Sequence, residues 1–70
     1  MRNYLRVERA KRRLSQEDLG KAVNVSRHAI VGVETGRYEP TVELGMKIAK
    51  YFNKKVEDIF FLTDEDMPPL

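Results

Sequence analysis

Cysteine is absent from this 70-residue chain, and histidine occurs once. The first absence excludes a disulfide framework and a thiolate metal site; the second excludes a histidine cluster. No run approaches the ~20 apolar residues that a membrane span requires. Charge begins at Arg2 with no apolar stretch behind it, so a secretory signal is not expected and a soluble cytoplasmic protein is. Also missing are paired carboxylates, a nucleophile with a neighbouring base, and a glycine-rich phosphate loop. Neither an enzyme, a cofactor nor a small-molecule substrate is therefore expected. The length allows one domain with one core and no separate effector-binding domain. Packing alone must hold it, with a margin of about 3–5 kcal/mol.

What the chain does have is an uneven distribution of charge. Residues 1–37 hold nine Lys or Arg against four acids, and residues 38–70 hold four against seven. Charge of this kind is either an ordinary solvated surface or a basic half that faces phosphates.

The stretch from Ser15 to Gly36, SQEDLGKAVNVSRHAIVGVETG, decides between the two. Ser15 is an N-cap, and Gln16, Glu17 and Asp18 put negative or polar groups in the first turn, where they suit the helix dipole. Leu19, Ala22 and Val23 recur at helical spacing, and Asn24 ends the helix because asparagine tolerates the left-handed conformation. Val25 anchors the turn. Ser26 caps a second helix with Ile30 and Val33 facing inward and Arg27, His28, Val31 and Gly32 facing outward. Two short helices, the second offering its N-terminal half to solvent, make a helix-turn-helix.

These residues, with Leu14, Glu34-Thr35-Gly36-Arg37, Pro40-Thr41, Leu44, Lys47-Ile48-Ala49 and Val56-Glu57-Asp58-Ile59-Phe60, resemble a known family. It is the Cro/repressor-type, or xenobiotic-response-element-type, helix-turn-helix regulators of bacteria, archaea and phages. The resemblance spans residues 5–60. It implies an all-α, compact five-helix, lambda-repressor-like domain over residues 1–62; residues 63–70, acidic and then Pro-Pro, read as a flexible tail. It implies a sequence-specific regulator of transcription, acting as a repressor on double-stranded DNA.

The remaining helices follow from local signals. Residues 3–13 read as helix 1, with Asn3 as its cap and Leu5 inward. Glu8 stands where the family usually has an apolar residue; either an arginine neighbour pairs with it or the helix is rotated. Thr41 caps helix 4, whose Leu44, Ile48 and Phe52 form a core stripe. Asn53 ends it. Helix 5 covers Val56 to Phe60, with Val56 and Ile59 inward. The apolar end Phe60-Phe61-Leu62 has three readings: a short strand paired with residues near Arg2 and Asn3, a dimer seam, or closure of the monomer's core.

The resemblance assigns roles to individual residues. Gln16 donates to a DNA phosphate, and the backbone amides at that helix end join it. Ser26, Arg27 and His28 open the recognition helix. Arginine there bonds guanine O6 and N7 in pairs or clamps a phosphate. The family often has glutamine in place of His28, so no base preference carries over; a catalytic or metal role for His28 lacks partner residues. Val31 packs on a thymine methyl and Gly32 lets the helix sit close, or neither is read and DNA shape decides. Thr35, Gly36, Arg37 and Tyr38 would hold the DNA backbone without reading sequence. Arg9 and Glu34 match an internal ion pair tying helix 1 to helix 3. A homodimer through Phe60, Phe61 and Leu62 is expected, with an antitoxin or bridging module that binds a protein at the C-terminal end as the alternative.

Overall fold

Three hydroxyls start three of the helices. In the computed structural model, which describes residues 1–69, the side chains of Ser15, Ser26 and Thr41 accept from the amides of Asp18, Ala29 and Leu44 at 2.9, 3.1 and 3.1 Å. Each bond satisfies an amide that the helix itself cannot. The elements are β1 (Arg2–Asn3), α1 (Leu5–Lys11), α2 (Gln16–Val23), α3 (Arg27–Glu34), α4 (Val42–Phe52), α5 (Val56–Ile59) and β2 (Phe60–Phe61). A single 3-10 turn, Asp64–Asp66, follows.

Asn24 and Asn53 end α2 and α4 in the left-handed region, at φ 62° and 55°. Helix α1 is shorter than the expected 3–13. Arg13 turns left-handed at φ 52° and closes that end. At the other end Asn3 belongs to β1, yet its Oδ1 accepts from the Leu5 amide at 3.1 Å and its Nδ2 donates to the Val33 carbonyl at 3.0 Å. The N-cap is Tyr4 and not the expected Asn3, but Asn3 still holds the first helical amide and ties this end of α1 to α3.

Leu5, Leu19, Val23, Ile30, Val33, Ile48, Ala49, Phe52, Ile59 and Phe60 form the core, with Leu14, Val25 and Leu44 packed partly buried against it. Helices α2 and α3 approach closely at Gly20, where an added Cβ would lie 2.7 Å from the Val25 carbonyl oxygen. Ala22 is exposed, so the inward face of α2 is Leu19, Gly20 and Val23.

β1 and β2 pair antiparallel, Arg2 opposite Phe61 and Asn3 opposite Phe60, and the Tyr4 amide extends the link to the Ile59 carbonyl at 2.8 Å. Tyr4 stacks on Phe61 with ring centroids 5.0 Å apart. Two expectations at this end need correction. Val56 is 38 % exposed, because α5 is a single turn and only Ile59 reaches the core. Phe60 is 5 % exposed and closes the monomer's own core, so its side chain is not offered to a second copy.

The Glu8 question resolves through one neighbour and one distant residue. Glu8 is only 5 % exposed, and its carboxylate accepts from Lys54 at 3.0 Å and Lys11 at 3.2 Å. The partners are lysines, not the expected arginine, and Lys54 comes from just beyond α4. The Lys54 hydrogen bond holds the Glu8 pKa below the ordinary carboxylate value, against the opposing effect of burial, with Lys11 adding to the lowering. A lowered folded-state pKa favours folding above the unfolded value and is lost as pH falls through the folded one. Stability should therefore drop below about pH 4.5. Glu8→Gln should give a shallower acid limb in urea melts taken from neutral pH downward. An identical limb would refute the Glu8 contribution.

Candidate nucleic-acid interface

Where α1, α2 and α3 meet, they leave an open cleft of about 610 Å³. Ser15 and Gln16 contribute the start of α2, Arg27 the start of α3, and Arg6 and Arg9 one side of α1. Glu17, Glu34 and Thr35 complete the wall.

Arg9 is neutralised within the protein. Its Nε and Nη2 donate to the two oxygens of Glu34 at 3.0 and 2.9 Å, and its Nη1 donates to the Leu14 carbonyl at 2.7 Å. The Glu34 hydrogen bond raises the Arg9 pKa above its ordinary value, outweighing burial. This fork-to-fork pair is the α1–α3 tie that the resemblance implied. Arg6 and Arg27 have no protein partner among the described residues, and both are exposed. They give the cleft its positive charge beside the α2 amides, a combination suited to an anion.

Arg6 stands on the basic outward face of α1 but was not among the expected site residues. Its signal was the three-residue step to Arg9, which places both side chains on one face of α1. Arg12, by contrast, is engaged elsewhere. It donates to the Tyr51 and Phe52 carbonyls at 3.2 and 2.8 Å, closing the end of α4, and lies 4.9 Å above the Phe52 ring. With Lys11 held by Glu8, the cationic face of α1 is narrower than its composition suggests.

On α3, Arg27 and His28 are exposed at its N-terminal turn, and Ser26 is engaged as the cap. Val31 is half-buried. Gly32 does not face outward as expected: the Tyr38 ring covers it, and a Cβ there would overlap the ring. Tyr38 bends back because its amide donates to the Gly32 carbonyl at 3.0 Å. The Thr35 hydroxyl donates to the Val31 carbonyl at 2.8 Å and the Gly36 amide to the Val33 carbonyl at 3.1 Å. Each group has one hydrogen to give, so neither donates to an outside phosphate in this conformation. Arg37 is exposed in the same loop and carries its charge outward from the end of α3.

A family model described as helix-turn-helix matches residues 5–59. An uncharacterized HTH-type transcriptional regulator of Methanocaldococcus jannaschii is 47% identical over 66 residues, covering 94% of this chain and 100% of that protein. Another, from Bacillus subtilis, is 41% identical over 66 residues with the same two coverages. Among solved structures, the P22 c2 repressor protein in complex with a synthetic operator superposes with a TM-score of 0.73 at 32% identity. That match covers 76% of this chain and 80% of that one. The five helices and the small sheet thus form the lambda-repressor-like fold, and the chain belongs to the helix-turn-helix family in its Cro/repressor-type form.

Proposed function

We propose that this chain is a sequence-specific, double-stranded-DNA-binding regulator of transcription that represses by occupying a promoter. The observation that carries the reading is the cleft at the start of α2, where unpaired Arg6 and Arg27 flank Gln16 beside the outward turn of α3. Arg6, Gln16 and Arg37 hold phosphates; Arg27 and His28 read bases, with Val31 available for a thymine methyl. Ser26 positions that turn as its cap. Family membership and the operator complex of the P22 c2 repressor support the same assignment.

Binding as a homodimer to a two-fold symmetric operator, with half-sites ~34 Å apart, suits a domain that presents one reading helix. Phe61 and the 60 % exposed Leu62 remain for that contact once Phe60 is assigned to the core. A second reading, a module that binds another protein, draws on a groove of about 630 Å³ between α4 and α5, where Val42, Met46, Ala49 and Val56 line an apolar floor. A DNA-binding regulator works in the cytoplasm, where the DNA it binds is held. No helix among the described residues is long and apolar enough to cross a membrane.

Selection of duplexes from a random library at physiological salt tests the proposal. An enriched inverted repeat of fixed spacing is the expected result. Enrichment of a single unrepeated site would remove the homodimer. No enrichment would overturn the regulator reading in favour of the α4–α5 groove and a protein partner.

A further inference from the structure

Tyr38 entered as a residue that holds the DNA backbone, but its position points elsewhere. Its ring covers Gly32 in the middle of α3, and its hydroxyl lies 3.3 Å from His28 Nε2 one turn toward the N-terminus of that helix. The two rings meet edge to face, with centroids 6.0 Å apart at 61°. His28 has no other protein partner among the described residues, so this bond is what restrains an otherwise exposed imidazole. The contact requires glycine at position 32, because a Cβ there would displace the tyrosine ring.

We propose that Tyr38 is a specificity-determining positioning residue: it fixes the His28 imidazole on the reading face of α3 and thereby sets the base preference at one position of the site. The inference rests on the DNA-binding assignment above. An unrestrained histidine on a helix surface samples several rotamers and must lose that freedom on binding. Held at Nε2, the ring has one orientation, and Nδ1 is its one polar atom left without a protein partner. A side chain with a single remaining polar atom in a fixed place can discriminate between base edges; a mobile one discriminates less. Gly32, Tyr38 and His28 therefore act as a unit. The glycine makes room, the tyrosine packs into it, and the hydroxyl aims the histidine.

The test is duplex selection from a random library with the wild-type chain, Tyr38→Phe, His28→Ala and the double variant, each checked for folding by a thermal melt. Tyr38→Phe keeps the ring over Gly32 and removes only the hydroxyl. It should relax the preference about fivefold to tenfold at the one base pair that His28→Ala also relaxes, leaving the other positions unchanged. Adding Tyr38→Phe to His28→Ala should change nothing further. Gly32→Ala, which displaces the ring, should relax the same position. An unchanged Tyr38→Phe motif, while wild type still enriches a site, overturns this proposal alone. A uniform loss of affinity on all sequences also overturns it, by returning Tyr38 to the phosphates. No enrichment by the wild-type chain removes both this proposal and the regulator reading.

Discussion

Replacing Glu34 with alanine is expected to remove about 2–3 kcal/mol of folding stability. The carboxylate, with 5% of its side chain exposed, accepts two parallel bonds from Arg9, at 3.0 and 2.9 Å. Truncating it leaves a guanidinium that is only 17% exposed and still fastened to the Leu14 carbonyl at 2.7 Å. Breaking one side of a buried pair typically costs about 3–5 kcal/mol, because the remaining charge is poorly hydrated. Arg9 borders the open cleft and keeps part of its hydration, which places the expected loss toward or below the lower end. Set against a total of about 3–5 kcal/mol for a domain of this size, the change would leave a large unfolded fraction at growth temperatures. Urea melts of wild type and Glu34→Ala check it; a difference under about 0.5 kcal/mol would show the pair to be an ordinary surface contact. Glu34 points into the protein, so the folded fraction of the variant should select the same duplex motif as wild type. A changed motif would mean that the pair also orients α3.

The features legible in the sequence were those decided within one turn. Ser15, Ser26 and Thr41 cap because a hydroxyl three residues before an amide reaches it, whatever else the chain does. Asn24 and Asn53 end helices for a similarly local reason, whereas Arg13 adopts the same left-handed backbone without belonging to the residues that favour it. The strand pairing of Phe60 and Phe61 with Asn3 and Arg2 was one of three readings of an apolar end, and only tertiary structure separates them. Glu8 shows the limit most clearly. Its lysine at position 54 lies 46 residues away, and nothing near Glu8 in the sequence announces it. On the candidate interface, Arg27 and His28 were readable from helical geometry. The contact of Tyr38 with Gly32 was not, because a loop after α3 folds back in a direction that spacing does not encode. The internal bonds of Thr35 and Gly36 were unreadable for the same reason: a donor is open to DNA only where the fold leaves it unbonded.

Arg27→Ala should lower affinity for the selected duplex by about tenfold to a hundredfold and that for a scrambled duplex far less. A paired arginine–guanine contact is worth about 1–3 kcal/mol of discrimination, which sets that range. Arg27 is the candidate because it occupies the first turn of α3, is exposed, and has no protein partner among the described residues. Its guanidinium is thus not committed to the fold, as those of Arg9 and Arg12 are. The competing assignment is a phosphate clamp, since the same side chain lines the cleft with Arg6 and Gln16. Salt dependence separates the two. Loss of one phosphate contact reduces the slope of log affinity against log salt by about 0.9 and weakens all sequences alike. Loss of a base contact leaves the slope nearly unchanged and falls on the preferred sequence. Fluorescence anisotropy titrations on both duplexes, at several salt concentrations, with Arg6→Ala as the comparison, make the distinction. For Arg6→Ala, equal weakening on the two duplexes with a shallower slope is expected. If Arg27→Ala behaves the same way, arginine is not the reading residue of α3, and base discrimination falls to His28 and Val31.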